Sequence, residues 1–337
     1  MSPPPTGMPS LSGRRVLVTG AGGFIGGHLV ERLVRDGART RAFVRYNSRN
    51  ERGTLDWLPP DTLAEVEVLL GELRDVESVT RAIEGVDVVL HLGAQIAIPY
   101  SYVSPRDFVE TNVIGALNVA NAARATGVER LVHTSSSEVY GTARQIPITE
   151  DHPLEPQSPY AASKVAADKL MDAFHRSFDV PVTILRPFNT FGPRQSARAV
   201  IPTIIAQALA GGTLRLGSLE PRRDLTFVSD TVAGLVAAAL APAAVGRTIQ
   251  LGTGHDVSIG ALVDLVGELL GRELEVETEA ARVRPRRSEV ERLISDPSRA
   301  RELLDWTPEV ELREGLGRTI EWLDSNRERY RVDQYVI

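Results

Sequence analysis

One stretch limits the fold more than any other: Arg14-Arg-Val-Leu-Val-Thr-Gly20 running into Ala21-Gly-Gly-Phe-Ile-Gly26. Residues 14–20 read as a short buried strand, and Phe24 to Arg35 carries a helical pattern that Gly37 ends. Gly20, Gly23 and Gly26 therefore fall where a strand turns directly into a helix, with GxxGxxG spacing. Such a turn lets backbone approach a pyrophosphate closely, and the helix start offers unpaired N–H groups and a positive dipole end. A glycine-rich turn without a ligand is the plainer reading of the same letters; the strand before it and the helix after it argue for the first.

The pattern then repeats. Thr40–Arg45, Val66–Leu70, Val86–Leu92, Leu131–Ser135 and Val182–Arg186 read as strands, several of them apolar throughout. Val76–Ile83, Arg106–Thr126 and Ser158–Phe178 read as helices between them. Alternation of this kind predicts an α/β fold: a doubly wound parallel sheet of the Rossmann type, covered on both faces. After Pro187 glycine, proline and arginine become frequent; Thr248–Leu251 returns to the main sheet, and 260–330 reads as helical with charged faces. The expected organisation is a disordered tail over 1–11, a dinucleotide-binding unit over 12–187 plus 229–260, and a smaller interleaved α/β substrate unit over 188–228 plus 261–333.

Composition excludes several classes. With 42% hydrophobic and 24% charged residues in 337, the chain reads as soluble and globular. A net charge of -6 gives no basic face for nucleic acid or an anionic membrane. Cysteine is absent, which removes disulfides, thiolate nucleophiles and cysteine-held metals; six histidines show no HExxH-like spacing, so no metal is expected. No apolar run approaches the length of a membrane span, and the proline-rich start lacks the character of a signal peptide, so a cytoplasmic location is expected.

The second strand ends Phe43-Val-Arg-Tyr46, with Arg49 close by and no acid at the usual place. An arginine there accommodates the 2′-phosphate of NADP, whereas an acid binds the ribose hydroxyl of NAD. Arg45 therefore favours NADP, its alternative being one more surface arginine in an arginine-rich chain. Glu72, after the third strand, is placed to accept from an adenine amine or simply to be solvated.

Tyr160-Ala-Ala-Ser-Lys164 opens the long helix, and i, i+4 spacing puts both side chains on one face. An ammonium beside a phenol lowers its pKa toward working pH, which suits removal of a proton from a hydroxyl. Lys164 and Lys169 are the chain's only lysines, so chance placement is a weaker account. The preceding strand ends Thr134-Ser-Ser-Ser137-Glu138, at the end where such sheets bind ligands. Ser136 can orient a reacting hydroxyl, and Glu138 can act as base at a carbon made acidic by a ketone. A capping loop and a solvated acid are the alternatives.

Taken together, Thr19-Gly-Ala-Gly-Gly-Phe-Ile-Gly26, His91-Leu-Gly-Ala94, Asn112-Val113, Ser136, Tyr160xxxLys164, Arg186-Pro-Phe-Asn189 and Arg223-Asp224 resemble the extended short-chain dehydrogenase/reductases, in their nucleotide-sugar epimerase/dehydratase branch. The resemblance runs from about 13 to 325. It implies transient oxidation at the sugar C4: Tyr160 takes the hydroxyl proton, Ser136 orients it, and Lys164 binds the nicotinamide ribose. It implies cofactor contacts at Leu73, Leu92, Gly93, Ala94 and Pro187, besides the glycine turn with Phe24 and Ile25. Gln95, Asn189, Arg223 and Arg284 are implied on the sugar nucleotide. Ser136-Ser137-Glu138 looks like the Thr-Ser-Glu of GDP-mannose dehydratases and of glucuronate decarboxylases, and departs from the Thr-Asp-Glu of dTDP-glucose dehydratases. Val44–Asn50, Leu92–Gln95 and Ser288–Leu293 look like dehydratases of legionaminic acid pathways. The resemblance thus favours a 4,6-dehydratase of UDP-GlcNAc or GDP-mannose type, with a 4-epimerase or a UDP-glucuronate decarboxylase as alternatives. Some members use NAD. Family members pair the helices around 105–126 and 158–178 in a four-helix bundle, so a homodimer is expected.

Overall fold

Apolar residues alternate between two faces along the central strands. Val16, Val18, Leu90, Val132 and Leu185 bury into one core, while Leu17, Val89, Leu131 and Ile184 bury into another on the opposite side. Both faces of the sheet are therefore covered, as a parallel sheet requires. Each fully buried Leu or Ile contributes roughly 1.5–3 kcal/mol.

The computed structural model describes residues 10–330. Most of the expected tail and residues 331–333 of the expected substrate unit lie outside that range. Leu11, placed in the tail by sequence, is buried in the first core.

The main strands are β1 (Arg15–Thr19), β2 (Arg39–Arg45), β3 (Glu67–Gly71), β4 (Val88–His91), β5 (Arg130–Thr134) and β6 (Val182–Pro187). β7 (Asn189–Phe191), β8 (Leu214–Leu216), β9 (Arg222–Phe227), β10 (Thr248–Leu251), β11 (Asp256–Ser258), β12 (Val276–Thr278) and β13 (Arg292–Leu293) follow. A seven-stranded, wholly parallel sheet has the order β10-β6-β5-β4-β1-β2-β3. The fold is a Rossmann-like α/β sheet. Strand order reverses between β1 and β4, and the crevice beyond their carboxyl ends is where such sheets bind ligands.

Two small sheets face that crevice. β11, β9 and β13 pair side by side, β7 also pairs with β9, and β12 pairs with β8. Here the sequence reading needs correction. Between the helices Ile259–Leu270 and Ser298–Leu304 the chain forms β12, a single short 3-10 turn and β13 with no α-helix, so 260–330 is only partly helical. These strands are too short to show alternation; their partners in β8 and β9 make them strands.

The run 106–126 is helical throughout, as expected, though not uniform. It divides into Pro105–Phe108, a wider π-helical turn at Val109–Ile114, and a regular helix Gly115–Thr126 closed by Gly127 at φ 67°. The wide turn carries Asn112, whose side chain accepts from Gln95 N at 2.7 Å and donates to Gln95 O and to Ser163 Oγ. One buried amide thereby joins this helix to the loop after β4 and to the Tyr160 helix. Such bulges recur where side-chain placement matters.

Candidate active site

The carboxyl ends of β1, β4, β5 and β6 open into one cavity of about 1010 Å³. At its dinucleotide end, Gly20 takes φ +69°, and a Cβ there would meet Gly93 Cα at 2.8 Å. A Cβ at Gly26 would collide with the Gly20 carbonyl oxygen, so the turn and helix approach as closely as they do only with glycine at both. Gly23 caps the helix Phe24–Arg35 without a side-chain bond, and no acid lies in its first turn. The helix start, with Phe24 and Ile25, lines the cavity. Its open N–H groups fit the diphosphate of a dinucleotide.

Leu73, Leu92, Gly93, Ala94 and Pro187 line the same crevice, as expected. Glu72 lines it too, with its carboxylate 3.1 Å from Arg74, which in turn reaches Asp107 at 3.2 Å. Arg45 lines the far end with Asn47 and Glu51. Arg49 is outside the lining: its side chain is 80% exposed and pairs loosely with Glu51 at 3.9 Å. Asn47 Oδ1 accepts from the Arg49 and Glu51 N–H groups, which folds the loop and turns Arg49 outward.

In the centre, Ser158 and Pro159 start the helix Pro159–Phe178; Ser158 Oγ accepts from Ala161 N at 3.1 Å, and proline stands at the first helical position. This puts Tyr160 in the first turn, buried and edge-on to Phe108 at 6.3 Å between ring centroids. Ser136 caps the following turn, its Oγ accepting from Glu138 N at 3.2 Å, and lines the cavity as well. Capping and facing the ligand are one arrangement here. Ser137 and Glu138 are buried and line the cavity beside Tyr160 and Lys164.

Lys164 shares the helix face of Tyr160 and is held from β5. Its Nζ donates to the Thr134 carbonyl at 2.6 Å, at the end of β5. Burial pushes the Tyr160 hydroxyl up to about 12; a hydrogen bond to Ser136 opposes this, and the charges of Glu138 and Asp168 add to it. Burial likewise lowers the Lys164 ammonium to about 8, against the pull of Asp168.

At the other end stand Gln95, Asn189, Arg223 and Arg284. Gln95 Nε2 donates to Asp107 at 2.9 Å. Arg223 Nη2 donates to Glu289 at 3.1 Å, and Arg284 Nη1 lies 3.6 Å from the same carboxylate. Glu289 thus bridges the two arginines, a residue the sequence reading left out; it was legible only as one acid in Ser288–Leu293. Burial lowers Arg223 from its ordinary value, while the charges of Glu138 and Glu289 raise it. Asn189 Oδ1 and Arg284 Nη1 are buried without hydrogen-bond partners, and both line the cavity, which fits a polar ligand between them. Among the described residues no cluster of metal-ligating side chains occurs, and no helix is long and apolar enough to cross a membrane.

A dinucleotide crevice that meets an arginine-lined pocket over serine, tyrosine and lysine defines an enzyme site. The chain belongs to the extended short-chain dehydrogenase/reductases, in the branch of nucleotide-sugar epimerases and dehydratases. The family model described as GDP-mannose 4,6 dehydratase matches residues 17–319. A UDP-glucose 4-epimerase of Mycolicibacterium smegmatis is 35% identical, over 91% of this chain and 98% of its own length. UDP-glucuronic acid decarboxylase 1 of Xenopus tropicalis is 32% identical, over 96% of this chain and 75% of its own. The solved structure of a double mutant of DesIV, a dTDP-glucose 4,6-dehydratase from Streptomyces venezuelae with NAD bound, superimposes with TM-score 0.85 at 30% identity, covering 94% of this chain and 98% of that one. This family of enzymes is NAD(P)-dependent, and its named reactions include epimerisation, decarboxylation and dehydration.

Proposed function

We propose that the protein is a nucleotide-sugar 4,6-dehydratase, of UDP-GlcNAc or GDP-mannose type, forming a 4-keto-6-deoxy sugar. The observation that supports this most is Glu138: a buried carboxylate in the cavity, one turn of chain from Ser136 and within electrostatic reach of both Tyr160 and Arg223. Tyr160 takes the proton of the C4 hydroxyl while Ser136 holds that hydroxyl. A nicotinamide dinucleotide would be held along Gly20–Gly26 and would supply an acceptor and later donor for one hydride. The C4 ketone acidifies the C5 proton; Glu138 removes it and passes it to the departing C6 hydroxyl, which leaves as water, and the resulting alkene takes the hydride back at C6 and a proton at C5. Arg223, Arg284 and Asn189 hold the diphosphate, where arginine forks suit paired oxygens.

The division into a dinucleotide unit (12–187, 229–260) and a substrate unit (188–228, 261–333) belongs to the same reading. NADP is the cofactor we favour, on Arg45; Glu51 at the same end favours NAD, and the two binding constants decide. A homodimer through the helices of 105–126 and 158–178 is supported by Val109 and Ile114, which are exposed on the first of them; light scattering in solution tests it.

Mass spectrometry after incubation with UDP-GlcNAc, GDP-mannose, dTDP-glucose and UDP-glucuronate tests the reaction. Loss of one water from one substrate is expected. Glu138→Gln is expected to slow dehydration roughly 10²–10⁴-fold, the range for a general base. Loss of carbon dioxide, or an isomer of unchanged mass, refutes the dehydratase.

A further inference from the structure

Asp168 enters none of these steps, yet it is 1% exposed. It lies one helical turn beyond Lys164, so the two share a face of the helix. Adjacent residues at the end of β5 hold them: Thr134 O accepts from Lys164 Nζ at 2.6 Å, and Ser135 Oγ donates to Asp168 Oδ2 at 2.9 Å. From β6, Arg186 Nε donates to the same carboxylate oxygen at 3.0 Å, with Nη2 also at 3.0 Å. Arg186 Nη1 donates to the Tyr140 hydroxyl at 3.1 Å, at the last residue of the turn that carries Glu138. One carboxylate thus ties the helix of Tyr160 and Lys164 to the strand ends that present Ser136, Glu138 and Asn189.

The groups facing Lys164 come from four elements. Asp168 and Tyr160 stand on its own helix, His91 on β4, His133 on β5, and Arg186 on β6 beyond Asp168. The two imidazoles pack at 5.3 Å between centroids, and burial lowers both from their ordinary value, so they bring no charge at neutral pH. Asp168 is the negative charge in this set.

We propose that Asp168 is a positioning residue for the active site: clamped between Ser135 and Arg186, it holds Lys164 as an ammonium and locks the catalytic helix in register with the Ser136–Glu138 turn. The proposal rests on Tyr160 taking the proton of the sugar hydroxyl beside a charged Lys164 that holds the nicotinamide ribose, and on no particular product. Burial already brings Lys164 down to about 8, so a neutral neighbour leaves it uncharged at lower pH still.

The chain's two lysines make this measurable. In 13C-lysine-labelled protein, NMR follows Lys164 and the exposed Lys169 as two titrations. Asp168→Asn is expected to move the Lys164 midpoint down by about one pH unit or more and leave Lys169 alone. The alkaline limb of the pH–rate profile moves with it, and kcat at pH 8 falls about tenfold or more with little change in KM. Arg186 is then a buried cation without its partner, so the single variant melts lower. Asp168→Asn combined with Arg186→Met removes both charges; melting recovers while the Lys164 midpoint and kcat stay low. This double variant carries the test where the single one does not fold. A wild-type midpoint in either folded variant overturns the proposal, as does activity that returns in step with melting temperature. Product identity does not move the midpoint, so the dehydratase reading and this one fail separately.

Discussion

Between Arg15 and Arg45 the chain builds one end of the crevice from consecutive pieces: a strand, a glycine turn, a helix and a second strand paired beside the first. Across the crevice, Asn189, Arg223 and Arg284 arrive from β7, from β9 and from the irregular stretch after β12. The first end is fixed by steric limits, since glycine backbones touch where no side chain fits. The second is fixed by charge, with Glu289 standing between two arginines. Shape limits what the dinucleotide end can become, and ion pairing limits the sugar-nucleotide end.

The largest expected effect tests the steric end. Gly26→Ala pushes a methyl into the Gly20 carbonyl and should cost about 1–3 kcal/mol or more by overpacking, with dinucleotide binding lost. Calorimetry and a melting curve read both; wild-type dinucleotide affinity in that variant would break the contrast. Next comes Arg223→Gln. Loss of a charged hydrogen bond, about 1.5–3 kcal/mol, should raise KM for the sugar nucleotide roughly ten- to hundredfold, while dinucleotide affinity holds. Equal weakening of both ligands would show that the two ends are not separable. The smallest effect is at the rim. Arg45 is exposed, so Arg45→Ala should change the NADP-to-NAD affinity ratio by about 1 kcal/mol or less, roughly fivefold at most. No change in the ratio would remove Arg45 from cofactor choice.

The same contrast governs what could be read in the letters. Phe24–Arg35 and Val76–Ile83 have the bounds their apolar spacing and stops suggest, because neighbours in sequence settle them. Tyr160 and Lys164 were legible because a single helix sets their geometry. Glu289 was not, since it meets Arg223 only through the pairing of β9 with β13. Arg49 misled because the turn made by Asn47 faces it outward. The role of Asn112 is invisible in the letters, since its work depends on a wide turn inside a run that looks uniformly helical. Spacing gave Lys164 and Tyr160 a shared face; the carbonyl of Thr134 that holds the ammonium comes from β5 and has no signature near them in the letters.

That wide turn has a consequence for chain length. A π-helical turn holds one residue more than an α-helical one. Delete any one residue from Val109–Ile114 and the run can rewind as a continuous α-helix. Five α-helical residues turn the chain about as far as six π-helical ones, so the segments before and after keep their faces. Phe108 would stay against Tyr160 and Asp107 near Gln95, while the widened backbone that carries Asn112 would close. A single-codon loss would twist an ordinary helix out of register; here the walls of the cavity would keep their places, and only the hold of Asn112 on Gln95 and Ser163 would go.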